Sequence, residues 1–247
     1  PHRRPTYSRL PPHTTPCRSA APVCISDNHA PDNSPVRGHA SDEESIHLWQ
    51  RPARAGIQKE ITVTLDATTA CVNVNHKITN LSGSARELAL WAITIMRSGE
   101  AILPLEPWRS HDEALLPAQP VVRWEFTDFT DPRLIFGRKY IRVRTDHLLK
   151  EPQKLGLLNK RGWCAHFHAG TLFVKRFAYL PESNYPDHGC NNEVYVEGDY
   201  LELESLGPMH KLDSGQSIEH VEQWEIFGDV VPGTDELSFD AALRTLL

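Results

Sequence analysis

From Gly56 onward, apolar and polar residues alternate with a period of two along much of the chain, which predicts strands rather than helices. Ile57, Ile61, Val63 and Leu65 alternate with Gln58, Glu60, Thr62 and Thr64. Val72, Val74, His76 and Ile78 alternate with Asn73, Asn75, Lys77 and Thr79, so the two runs predict a meander pair with His76 as a core histidine. After turn residues at 80–84, the run Glu87 to Met96 is apolar on both faces and predicts a central, doubly covered strand. The stretch Leu103 to Pro120 is punctuated by prolines and predicts a long loop with at most one turn of helix. Short strands are expected around Val122, Trp124 and Phe126 and over Arg138 to Arg144, and a hairpin over 163–179 turning at Ala169-Gly170.

The clearest pattern is NNEVYVEGDYLELESLGP, residues 191–208. Val194 and Val196 alternate with Glu193, Tyr195 and Glu197, and Leu201 and Leu203 alternate with Tyr200, Glu202 and Glu204. Gly198-Asp199 between the arms suits a two-residue type II′ turn. That turn fixes the register, with Val196 facing Leu201, Val194 facing Leu203, Tyr195 facing Glu202 and Glu193 facing Glu204. The valines and leucines are expected on a core face and the carboxylates on the other. Ser217 to Phe227 predicts a last strand, and Thr234 to Leu247 a helix with Thr234 as N-cap. The whole predicts an all-β antiparallel sandwich with a short C-terminal helix.

Residues 1–45 lack either period and are rich in Pro, Ser and His. They are expected to be a disordered segment, followed by a sandwich domain over 46–232 and the helix over 233–247. The segment carries no apolar h-region of a secretory signal. The net charge of -6 argues against a nucleic-acid or anionic-membrane partner, and no apolar run approaches the roughly 18 residues of a membrane span. Five cysteines without CxxC spacing make neither a zinc motif nor a disulfide framework and point to a reducing, cytoplasmic setting. No phosphate-binding glycine loop or nucleophile elbow is present, and no cofactor or metal is expected.

Glu193 opposite Glu204 is the first candidate site. Like charges directly across a strand pair destabilise it, so a cation is expected between them, with Lys175 or Arg176 leading. The alternative is a solvated outer face. The 103–120 loop offers Trp108, Arg109, His111, Asp112 and Glu113, the side chains that a polar-ligand loop uses. His166 and His168 share a strand face, but no nearby glutamate completes a metal set.

The run NHKITNLSGSARELALWAIT followed by GDYLELESLGP resembles the galactose mutarotase-like superfamily, the aldose 1-epimerases and their relatives. The blocks PDNSPV, GIQKEI, HDEALLP, GRKYIRVR, KLGL, GTLFVKRF and EHVEQWEIF look like a bacterial branch of it, over about residues 30–228. The resemblance implies an antiparallel supersandwich, lacking part of its first sheet, and a sugar or sugar derivative as partner. It places the general base of a cofactor-free sugar isomerase at Glu204 and puts Trp91 where the acid histidine belongs. An indole has no proton to give at neutral pH. Two readings stay open: a sugar isomerase with Glu204 as base, and a non-catalytic carbohydrate-binding sandwich. Trp91, His111, Asp112, Arg138, Lys175 and Glu193 are the candidate ligand contacts, and the oligomeric state is left open.

Overall fold

The computed structural model describes residues 35–52, 56–233 and 235–246, together with the backbone of Cys17–Ser19. In chain order the strands are β1 (Cys17–Ser19), β2 (Arg37–Ala40), β3 (Ser45–Trp49), β4 (Ile57–Leu65), β5 (Cys71–Asn80), β6 (Arg86–Arg97), β7 (Glu100–Pro104), β8 (Val121–Arg123) and β9 (Leu134–Phe136). They continue as β10 (Tyr140–Arg144), β11 (Gln153–Leu157), β12 (Trp163–His168), β13 (Thr171–Phe177), β14 (Asn192–Glu197), β15 (Tyr200–Leu206), β16 (His210–Leu212) and β17 (Ser217–Phe227). A helix, α1 (Glu236–Arg244), closes the described chain.

The strands form two antiparallel sheets. One has seven strands in the order β1-β6-β15-β14-β11-β8, with β16 also on β6; the other has ten, in the order β2-β3-β4-β5-β17-β13-β12-β7-β10-β9. The main core lies between them. Leu155, Leu157, Val194, Val196, Leu201 and Leu203 from the smaller sheet meet Leu103, Ile141, Val143, Phe173 and Phe177 from the larger. A second core, with Tyr140, Trp163, Leu172 and Val174, is on the outer face of the ten-stranded sheet, where Phe239 and Leu243 of α1 cover it.

The alternation dictates the hairpin as expected. Val196 pairs with Leu201, Val194 with Leu203, Tyr195 with Glu202 and Glu193 with Glu204. Gly198 takes φ +56°, the left-handed first position that a type II′ turn requires. A one-residue slip would send four buried side chains to the opposite face.

Three expectations are changed in detail. The helix is capped by Asp235, whose carboxylate accepts from the N–H groups of Leu237 and Ser238; Thr234 lies outside the described residues. The run at Val122 forms only the three residues of β8, and Trp124 lies in the turn that follows, held by Thr127 N–H donating to Trp124 O. Of the segment expected to be disordered, residues 1–16 and 20–34 lie outside the described residues, while β2 is a fully exposed edge strand held to β3 by its backbone.

Candidate functional site

The carboxylate face of the hairpin points away from the core, yet Glu193 and Glu204 are both 0% exposed. Two buried like charges side by side need a counter-charge. Lys154 supplies it. This lysine lies on β11, opposite Tyr195, and its Nζ is 2.7 and 2.6 Å from Glu204 Oε1 and Oε2. The same ammonium is 2.9 Å from Glu193 Oε2. Trp91 Nε1–H donates to Glu204 Oε2. The indole rings of Trp91 and Trp124 lie 4.8 and 5.0 Å from Lys154 Nζ, so two π faces add to the attraction on the cation. Gly156, beside Glu193 on β11, makes this packing feasible: a Cβ there would stand 2.7 Å from Cys190 Sγ and 3.1 Å from the Trp124 ring.

The expected cation is therefore present, but it is neither Lys175 nor Arg176. Strand parity explains both. Lys175 shares the inner face of β13 with Phe173 and Phe177, and it is buried between the sheets with its Nζ 2.7 Å from Glu222 Oε1. There it also donates to Ala92 O, Thr94 Oγ1 and Leu203 O, at 3.1, 3.0 and 3.0 Å. Arg176 faces the other way and pairs with Glu225.

Around Glu222 is a second buried network. His76 Nε2 is 3.3 Å away, Trp224 Nε1–H donates at 3.0 Å, and the Ser205 hydroxyl donates to Oε1. Ser205 Oγ also lies 2.7 Å from His220 Nε2. A serine, a histidine and a carboxylate thus meet, but the hydroxyl proton goes to the carboxylate and all three groups are buried. This is core chemistry rather than an activated nucleophile.

Glu202, one residue pair along from Glu204, is half-buried. Burial and then the Glu204 carboxylate push its pKa up to about 7, against an opposing pull from Lys154. A raised carboxyl favours folding while it is neutral, so its contribution is complete below about 4.5 and is lost as pH rises through 7. Glu202→Gln is therefore expected to gain stability over the wild type at pH 8 and to match it near pH 4.5. Urea midpoints at both pH values check this, and an offset independent of pH would mean that Glu202 titrates as a solvated group.

The other predicted contacts are not brought to Glu204. His111 and Asp112 point into solvent, their side chains 88% and 99% exposed and 3.5 Å apart. Arg138 lies in the turn before β10, with its guanidinium 4.9 Å from the ring centre of Trp108. His166 is buried with Nε2 2.6 Å from Ser98 O, and among the described residues no three His, Cys, Asp or Glu side chains gather to hold a metal.

Trp108 and Arg138 line a cleft of about 900 Å³ between the 103–120 loop, β10 and α1. Trp108 is 58% exposed. The floor holds Tyr140 and Trp163, and the walls carry Arg161, Arg176 and Arg244. Glu236 fastens α1 to this wall by accepting from the N–H groups of Arg138, Lys139 and Tyr140. The sequence pattern singled out the loop but not the cleft, because Arg161, Trp163 and the helix reach it only through the sheet order.

No family model and no curated protein matches the sequence. The fold does have relatives among solved structures. The "putative aldose 1-epimerase" of Klebsiella pneumoniae subsp. pneumoniae MGH 78578 superimposes with a TM-score of 0.50 at 8% identity, over 85% of this chain and 56% of that one. A TPR-domain containing protein from Parabacteroides distasonis ATCC 8503 gives 0.53 at 13% identity, over 81% of this chain and 35% of that one. A galactose mutarotase-like protein from Lactobacillus casei ATCC 334 gives 0.47 at 11% identity, over 78% and 73%. At these identities the likeness is one of fold: a two-sheet antiparallel sandwich of the kind seen in the Klebsiella structure. Among the described residues no helix is long and apolar enough to cross a membrane.

Proposed function

We infer that this chain is a carbohydrate-recognising sandwich, related in fold to the aldose 1-epimerases, that binds its sugar without anomerising it through Glu204. The observation that favours binding over catalysis is the state of the Glu204 carboxylate. A general base must come within hydrogen-bond reach of the proton that it removes. Both oxygens of Glu204 are taken by Lys154, one of them also by Trp91, and the residue is fully buried. With Lys154 and Trp91 in place, Glu204 serves the sheet as a counter-ion.

The seat for the sugar in this reading is the Trp108 cleft. Sugar rings present C–H groups that pack on aromatic faces, and their hydroxyls take fork-shaped donors. Trp91 is closed to that role, being buried under Lys154, whereas Trp108 is open and stands beside Arg138. Cys71, Cys164 and Cys190 are all buried thiols, which suits the cytoplasmic setting expected from the sequence.

The experiment is anomerisation of several aldoses followed by NMR, on the wild type and on Glu204→Gln. The expected result is no rate above buffer in either protein, with sugar binding in both. Turnover by the wild type that drops roughly a hundredfold in Glu204→Gln would restore the isomerase reading with Glu204 as base.

A further inference from the structure

The charge of the cleft narrows what it binds. Its lining carries five basic side chains, Arg138, Lys139, Arg161, Arg176 and Arg244, against three carboxylates. Two of the three carboxylates are already used. Asp240 accepts from Tyr140 Oη–H at 2.7 Å and pairs with Lys139 and, at 2.9 Å, with Arg244. Glu236 is taken by the three backbone N–H groups that hold α1 in place. Arg176 is paired outside the cleft, with Glu225. Arg138 and Arg161 remain: both are exposed, and among the described residues neither makes an ion pair. Stacking on Trp108 gives the Arg138 fork a fixed position. A protein of net charge -6 does not attract anions as a whole, so a local excess of guanidinium in an aromatic cleft is a specific feature.

We propose that the Trp108 cleft binds a sugar that carries an anionic group, a carboxylate or a phosphate, with the ring packed on Trp108 and the anion held by Arg138 and Arg161. This rests on the carbohydrate reading and adds the ligand class. A guanidinium meets either oxyanion with two parallel N–H bonds, and such charge-assisted pairs are about twice as strong as neutral ones. A neutral hexose could use the tryptophan but would leave both forks hydrated.

Calorimetric titration of the full chain with glucose, glucuronate, glucose 6-phosphate and inorganic phosphate tests this at fixed ionic strength. At least one charged sugar is expected to bind about tenfold or more tightly than glucose, and its affinity to fall with added salt. Arg138→Gln and Arg161→Gln are each expected to remove most of that preference, and Trp108→Ala to weaken charged and neutral sugars alike. All three residues are exposed, so an unchanged melting temperature can be required of each variant. Glucose binding equal to both charged sugars overturns the ligand class and leaves the carbohydrate reading standing. Inorganic phosphate binding as tightly as glucose 6-phosphate, with Trp108→Ala silent, or no binding of any of the three sugars, overturns both.

Discussion

Lys154→Met is expected to destabilise the protein by about 3–5 kcal/mol at neutral pH, the usual result of removing one partner from a buried ion pair. The substitution keeps the length and apolar stem of the side chain, so little packing is lost. What is lost is the positive charge that Glu193 and Glu204 share, at 2.9 and 2.6 Å. Two fully buried carboxylates then face each other across one strand pair, and the π faces of Trp91 and Trp124 add negative potential on the same side. Recovery is part of the expectation. In Lys154→Met combined with Glu193→Gln and Glu204→Gln all three positions are neutral, and most of the loss should return, because apolar and neutral replacements of a whole buried cluster are often close to neutral. Urea unfolding of the single and triple variants measures both. A single-variant loss below about 1 kcal/mol would mean that the two carboxylates are solvated, and the account of the cluster would fall with it.

The hairpin was legible because two constraints agree there. Alternation decides which residues face the core, and a two-residue turn with glycine at its first position decides which residue meets which. The need for a cation followed from that register alone. Its identity did not, because it comes from β11, with Lys154 50 residues from Glu204 in the chain. That strand is five residues long and sits next to Pro152, and its alternation, Lys154 and Gly156 against Leu155 and Leu157, is too brief to announce a strand by itself. Lys175 looked equally suitable in the sequence. Only the pairing of β13 with β17, which puts Lys175 opposite Trp224 and beside Glu222, sends it to the interior. The cleft was half legible in the same way. The proline-punctuated loop marked Trp108, but the arginines that face it come from the turns before β10 and β12, from β13 and from α1. Parity within a strand can be read from sequence, whereas adjacency between distant strands is a property of the sheet order.

Glu222→Ala is expected to have an effect as large as the loss of Lys154, and its dependence on pH identifies the cause. The substitution leaves Lys175, 0% exposed, with two carbonyls and the Thr94 hydroxyl as its acceptors among the described residues, and it removes a partner of His76, Ser205 and Trp224 together. A loss of about 3–5 kcal/mol at pH 7 is the expectation for a stranded buried charge, and Lys175→Met combined with Glu222→Leu should recover much of it. In the wild type, burial is the largest influence on Glu222 and acts to raise its pKa, but Lys175 and the two histidines outweigh it and hold the carboxyl below its ordinary value. Burial pushes His220 down to about 4, despite the nearby Glu222. Both shifts are depressions, so both contribute stability that is present at high pH and lost in acid. The His220 part is complete above about 6.5 and disappears as pH falls to 4, while the Glu222 part begins to disappear below 4.5. His166, lowered by its own burial, adds to the upper limb with the same sign. His220→Asn should therefore flatten, without abolishing, the fall in stability between pH 6.5 and 4. Urea unfolding at pH 7, 5.5 and 4.5 reads that slope, and an identical slope in wild type and His220→Asn would locate the acid-sensitive groups outside the Ser205–His220–Glu222 core.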